Sequence, residues 1–171
     1  MKITALFFGV FAGCLSCIPA HAADYLWNGG NGSWTDSGAW RLDDSSADWS
    51  NGNTAQFQTD SSITVGSGIS ASGMLYNGAA ITLNGGSLTL TGAAAGNNGG
   101  SATLSNTGLI LDAPNAEDSY EVRDTSLTGS ATLAKTGAGT VTLDGAHTAS
   151  GVWNINAGTL VFTGERNITA S

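Results

Sequence analysis

Short alternating runs of apolar and polar residues recur along most of the chain. In most of these runs a Thr lies between two aliphatic residues, so an extended strand would have one apolar face and one polar face. No window keeps the 3.6-residue apolar period that indicates a helix. The pattern predicts an all-β fold of many short strands, centred on Ile63–Val65, Ile81–Leu83, Leu88–Leu90, Leu109–Leu111, Val141–Leu143 and Leu160–Phe162.

Turn residues separate these runs. Gly and Asn tolerate the positive φ that tight turns demand, and they recur at Asn77-Gly78, Asn84-Gly85-Gly86, Asn98-Gly99-Gly100, Asp144-Gly145 and Ala157-Gly158.

The segments Gly86–Gly92, Gly139–Gly145 and Gly158–Gly164 share a Gly-x-Leu/Val-x-Leu/Phe-x-Gly unit, and the last two begin 19 residues apart. Such a repeat is typical of coils that stack on one continuous core. We therefore predict a right-handed parallel β-helix (β-solenoid) over residues 61–171. A Greek-key sandwich would have the same density of strands without the repeated unit, and it is the alternative.

Four tryptophans, Trp27, Trp34, Trp40 and Trp49, precede the first predicted coil. The end of a β-helix exposes unpaired strand edges and core side chains, and it needs a cap. We predict that residues 23–60 form this Trp-rich cap. The alternative is that exposed indole rings stack on sugars, as they do in carbohydrate-binding modules.

The first 22 residues have the order of a secretory leader. Lys2 is followed by the apolar stretch Ile3–Ile18, then by Pro19 and the small-residue site Ala20-His21-Ala22. This order predicts a signal peptide, residues 1–22, cleaved after Ala22. The apolar stretch is shorter than the ~20 residues that cross a bilayer as a helix, so we predict no transmembrane segment in the mature chain.

Both cysteines lie inside this leader. The mature chain would therefore have neither a disulfide nor a thiolate metal site. Phe11-Ala12-Gly13-Cys14 resembles a lipobox. Lipidation of Cys14 is thus the alternative to conventional cleavage, although the leader would then be unusually short.

The chain is acidic, with a net charge of −8 that becomes −9 once Lys2 is removed. Its remaining cations are scattered, so they form no basic patch, and nucleic-acid binding is excluded. The stretch Asp112–Asp124 breaks the strand pattern and is rich in acidic residues. We predict a solvated loop or irregular coil there, because charge alone supports a Ca²⁺ site.

Candidate catalytic groups are few. His147 is the one histidine after the leader, and we expect a solvated turn residue that forms neither a catalytic relay nor a metal site. A pair of glycosidase carboxylates could come from Asp43, Asp44 and Asp48, but no coil geometry sets their separation. We predict no enzyme activity and no catalytic, cofactor or metal site. A β-helical polysaccharide-degrading enzyme is the less favoured alternative.

Residues 130–164 read SATLAKTGAGTVTLDGAHTASGVWNINAGTLVFTG. This segment resembles the autotransporter-associated β-strand repeat, also called the passenger-associated transport repeat. Trp153 and Asn154 depart mildly from the pattern, which usually has small β-forming residues there. The positions that match the repeat motif include Lys135, Gly137, Gly139, Thr140, Leu143, Gly145, Gly151, Gly158 and Leu160.

The resemblance implies a β-helical passenger segment of a bacterial autotransporter-type protein. Such a segment is exported to the periplasm, the outer-membrane surface or the medium, and the repeat assists export and folding. An outer-membrane translocator or another surface component is the implied partner, and a glycan is a further candidate ligand. The chain is then either a piece of a longer autotransporter or a small exported protein that uses the repeat alone.

Overall fold

The computed structural model describes residues 22–164. The predicted leader before Ala22, with Cys14, lies outside the described residues. Between residues 22 and 164 the chain forms eighteen strands and no helix, so no helix there could cross a membrane. The predicted all-β fold is confirmed.

The strands are short and follow one another closely. Their bounds are β1 Asp24–Trp27, β2 Gly32–Ser33, β3 Trp40–Leu42, β4 Ser45–Ala47, β5 Asn53–Phe57, β6 Ser61–Thr64, β7 Ile69–Asn77, β8 Ala80–Asn84, β9 Ser87–Leu90, β10 Ala94–Asn97, β11 Ser101–Ser105, β12 Gly108–Asp112, β13 Ser119–Val122, β14 Thr125–Thr128, β15 Thr132–Thr136, β16 Thr140–Leu143, β17 Trp153–Ile155 and β18 Thr159–Phe162.

These strands stack in three parallel faces around a common core. The first face runs β1-β5-β7-β10-β13-β16-β18, the second β2-β6-β8-β11-β14, and the third β7-β9-β12-β15-β17. The long strand β7 bends around a corner, because its beginning pairs with β9 and its end pairs with β10. The chain thus winds about five turns of a parallel β-solenoid, which confirms the predicted architecture.

We number the coils by their strand on the first face. Coil 5 consists of β13, β14 and β15, and coil 6 begins at β16 and ends with β17. Thr140 of β16 pairs with Thr159 of β18, so the predicted 19-residue spacing is one full turn. The similar segment Gly86–Gly92 instead contains β9, which lies on the third face.

Side chains that point inward form columns along the solenoid axis. Because the strands pair in parallel register, equivalent residues of neighbouring coils lie about 4.8 Å apart. On the third face Leu88, Leu109 and Leu133 stack directly, and each is at most 1% exposed. Each column buries apolar surface only because another coil covers it.

The first coil ends the stack differently from the rest. The antiparallel hairpin β3–β4 pairs with the edge of β1 that faces away from β5. Beneath it the rings of Trp27, Trp34, Trp40 and Trp49 contact one another, with neighbouring centroids 4.8–5.2 Å apart. We call these four rings the Trp cluster. The division between cap and solenoid at residue 60 stays a prediction.

Close contact between coils explains why small residues occupy the corners. At Gly151 a Cβ atom would lie 2.1 Å from the carbonyl oxygen of Ala131 in the preceding coil. The backbone of Gly151 is not left-handed. The coil spacing itself therefore excludes a side chain at this position.

We expect Gly151→Ala to lower the free energy of unfolding by about 1–3 kcal/mol, since a methyl group forced into a packed site displaces its neighbours. Gly66→Ala is the matched control, because a Cβ there would meet only Thr35 Cγ2 at an ordinary 3.9 Å. Urea denaturation of both variants measures the difference. Equal stability of the two variants would contradict the close approach.

Candidate functional site at the carboxyl-terminal coils

The segment that resembles the repeat forms the last coils of the described solenoid. Its strands β15 and β17 stack on the third face, and its strands β16 and β18 stack on the first. The motif residues Thr140, Leu143 and Leu160 lie on these paired strands, and Leu143 is fully buried. The motif thus occupies two successive coils that contact each other along both faces.

Lys135 is the unusual residue of this segment, because its side chain points into the core. It occupies an inward column of the third face, between Leu111 in the coil before and Ile155 in the coil after. The lysine side chain is fully buried. Sequence reasoning identified the position but gave no sign that the ammonium group is internal.

Backbone carbonyl oxygens surround the ammonium group of Lys135. Its Nζ atom donates hydrogen bonds to the carbonyl oxygens of Thr136, Gly137 (2.9 Å) and Ala157 (3.5 Å). Burial lowers the pKa of Lys135 from its usual value, and the Asp112 carboxylate acts in the opposite direction. The carbonyl oxygens offset the cost of removing the charge from water.

The backbone of Lys135 contacts the same turn of the next coil. Its carbonyl oxygen accepts hydrogen bonds from the amides of Asn156 (2.9 Å) and Ala157 (3.4 Å). Lys135 and Ala157 are therefore joined in both directions, through a side chain and through the backbone. This arrangement fixes coil 6 against coil 5 at the corner that follows β17.

The motif glycines lie where successive coils approach most closely. A Cβ atom at Gly158 would come within 2.3 Å of the carbonyl oxygen of Gly139, and φ at Gly158 is +68°. Both features require glycine. Comparable approaches to a carbonyl oxygen of the preceding coil, between 2.0 and 2.5 Å, occur at Gly137, Gly139, Gly145 and Gly151.

The expectation that His147 is a solvated turn residue is wrong. Its side chain is only 1% exposed, and its ring packs against those of Trp153 and Phe162 with centroids 5.9 Å away in both cases. The reason is a parallel bridge between Leu127 and His147, which places the imidazole in an inward column of the second face. His147 is a core residue of coil 6.

The acidic stretch Asp112–Asp124 contains an irregular loop and the strand β13. Asn115 and Asp118 close a local turn, in which the Asp118 carboxylate accepts the Asn115 amide at 2.8 Å. The Tyr120 hydroxyl donates to the carbonyl oxygen of Leu90 at 2.8 Å, and burial raises the pKa of this hydroxyl. Among residues 22–164 no group of three or more His, Cys, Asp or Glu side chains could hold a metal ion.

The aromatic rings considered for sugar stacking face inward. Trp34 and Trp40 have no exposed surface, and Trp27 is 5% exposed. The Trp40 indole donates a hydrogen bond to the carbonyl oxygen of Trp34 at 2.8 Å. These rings present no flat face to a ligand, and only Trp49 of the cluster is partly exposed.

The carboxylates considered as a glycosidase pair also lie apart from any cleft formed by coils. Asp43 and Asp44 form the turn of the β3–β4 hairpin, with φ of 48° and 63°. Asp44 forms an exposed ion pair with Arg41, and Asp48 accepts a hydrogen bond from the Gly38 amide. Their local contacts give each a structural role in the hairpin.

We expect Lys135→Met to lower the free energy of unfolding by about 1.5–3 kcal/mol, because the carbonyl oxygens would lose a charged donor. The loss should speed hydrogen exchange of the Asn156 and Ala157 amides before that of coil 3. Leu111→Met is the matched control in the same column, and it should cost less, since it conserves volume and removes no donor. A Lys135→Met chain as stable as the control would contradict the bonding role.

Comparison with known families agrees with this geometry. Residues 133–162 match the family described as Passenger-associated-transport-repeat, which covers β16, β17, β18 and nearly all of β15. No curated protein and no solved structure matches the chain. The last described coils of this β-solenoid are therefore a passenger-associated transport repeat.

Proposed function

We propose that this chain is a non-catalytic, exported β-solenoid that acts as a passenger-like segment of an autotransporter-type surface or secreted protein. One observation carries the proposal. The family match covers two coils whose characteristic residues, Lys135 and the corner glycines, are used to stack coil on coil. A repeat built this way extends a scaffold.

The contacts of the motif residues support a structural role over a chemical one. Lys135 bonds to carbonyl oxygens, and Leu143 fills the core. Neither side chain is available to a substrate in solution. The chemistry of this segment is consistent with holding successive coils in register.

The burial of the Trp cluster supports its role as a cap and weighs against a carbohydrate-binding module. Sugar-stacking sites need exposed aromatic faces, whereas Trp34 and Trp40 pack against each other at 4.9 Å. The hairpin β3–β4 ends the sheet with the exposed residues Ser45 and Ser46. A short polar edge of this kind protects a sheet from pairing with other chains.

The start of the first coil supports leader removal after Ala22. The Ala23 amide donates to Asn53 Oδ1 at 2.8 Å, and its carbonyl oxygen accepts from the Thr54 amide at 2.9 Å. The folded ladder thus begins at the first residue of the proposed mature chain. An amino group created there by cleavage would keep the bond to Asn53.

Export is tested by producing the full chain in a Gram-negative host and measuring its location and intact mass. We expect a periplasmic or extracellular product that begins at Ala23. Ala22→Leu should keep the leader attached, because the peptidase requires a small residue before the cleaved bond. His21→Leu is the matched control, since the middle position of the site tolerates other residues, and it should be processed normally.

Three results would count against this account of export. An intact, cytoplasmic chain would overturn export itself. Equal processing of Ala22→Leu and His21→Leu would place the cleavage elsewhere. Loss of processing in Cys14→Ser, with a lipid mass on the wild-type product, would show that the chain is a lipoprotein.

A further inference from the structure

We propose that the end of the solenoid formed by β17 and β18 is an interface between two copies of this chain. The two copies would meet tail to tail, each covering the exposed core of the other. This inference concerns assembly, and it does not depend on the proposed export.

The inward columns reach this end without the cover they have elsewhere. Ile155 continues the column of Leu111 and Lys135, yet it is 58% exposed, while both earlier residues are fully buried. Val152 and Val161, on the rim of the same end, are 66% and 40% exposed. Among the described residues these three are the large apolar side chains that remain exposed, and all belong to this end.

The backbone at this end has free hydrogen-bonding capacity. Within residues 22–164, β17 pairs only with β15, and β18 pairs only with β16. Each strand therefore presents one edge that can pair with another strand. An apolar face bordered by open strand edges is the surface that each internal coil buries against its neighbour, so a second copy would continue an interface that the fold already uses.

Charge favours a second copy at this end over any other surface of the chain. The net charge is −8, so two copies repel each other over most of their surfaces. Residues 145–164 contain no Asp, Glu, Lys or Arg. The last coil is therefore a surface where two acidic chains can approach without bringing charges into contact.

The opposite end of the solenoid restricts how the copies can be arranged. There the edge of β1 is paired with β3, and the hairpin ends in exposed serines. A head-to-tail contact would have to displace this hairpin. The remaining arrangement uses the same surface on both copies, and such an isologous contact closes as a dimer instead of growing into a fibre.

The test is sedimentation velocity of the purified chain over a range of concentrations. We expect a monomer that converts to a dimer as concentration rises, with no larger species. Raising the salt should increase the dimer fraction, because it screens the repulsion between two acidic chains. Ile155→Glu should abolish the dimer by placing two like charges in the contact.

Two further variants separate assembly from folding. Val161→Glu, on the rim of the same end, should also weaken the dimer. Thr64→Glu adds the same charge on the exposed face of β6, far along the stack, and should leave the dimer intact. Circular dichroism and thermal unfolding of each variant verify that the solenoid is preserved.

Several outcomes would overturn the proposal. They are a monomer at every concentration, a ladder of larger species, a dimer that dissociates as salt rises, and a dimer that survives Ile155→Glu and Val161→Glu. A ladder would indicate head-to-tail stacking, and loss of the dimer with rising salt would indicate contacts made by ion pairs.

Discussion

Stacking of each coil on the one before it is the interaction on which the rest of this structure depends. A single coil cannot enclose its apolar residues, so Leu109 is buried only because Leu88 and Leu133 lie directly below and above it. The same constraint places glycine at Gly151 and Gly158, where backbones nearly touch. It also gives the buried ammonium of Lys135 carbonyl partners in two different coils.

A stack of this kind has two ends, and this chain treats them differently. At the first coil the hairpin β3–β4 and the Trp cluster cover the core and occupy the strand edge. At the last coil β17 and β18 continue the stacking surface with apolar, uncharged residues. This difference suits a scaffold whose beginning is fixed and whose end meets another surface, and it explains why the repeat carries structural contacts instead of a reactive site.

The sequence predicted the strands whose apolar and polar residues alternate clearly, such as β9, β12 and β16. It missed β10 and β11, because small residues occupy their inward positions where Tyr76 reaches across to Thr125. His147 was assigned to solvent because inward or outward direction depends on register with Leu127, which the local sequence does not reveal. Lys135 was recognised from its motif, but only the fold shows that its charge is internal.

The register of the last coils is the most direct test of this account. Thr142 and Val161 are partners in the ladder between β16 and β18, about 4.8 Å apart by strand spacing, which suits a disulfide. In a chain with Cys14→Ser and Cys17→Ser, Thr142→Cys with Val161→Cys should oxidise readily within one molecule. Thr142→Cys with Thr159→Cys, out of register at about 8 Å, should not. Equal oxidation of both pairs, or oxidation of the second pair alone, would contradict the stacked parallel coils.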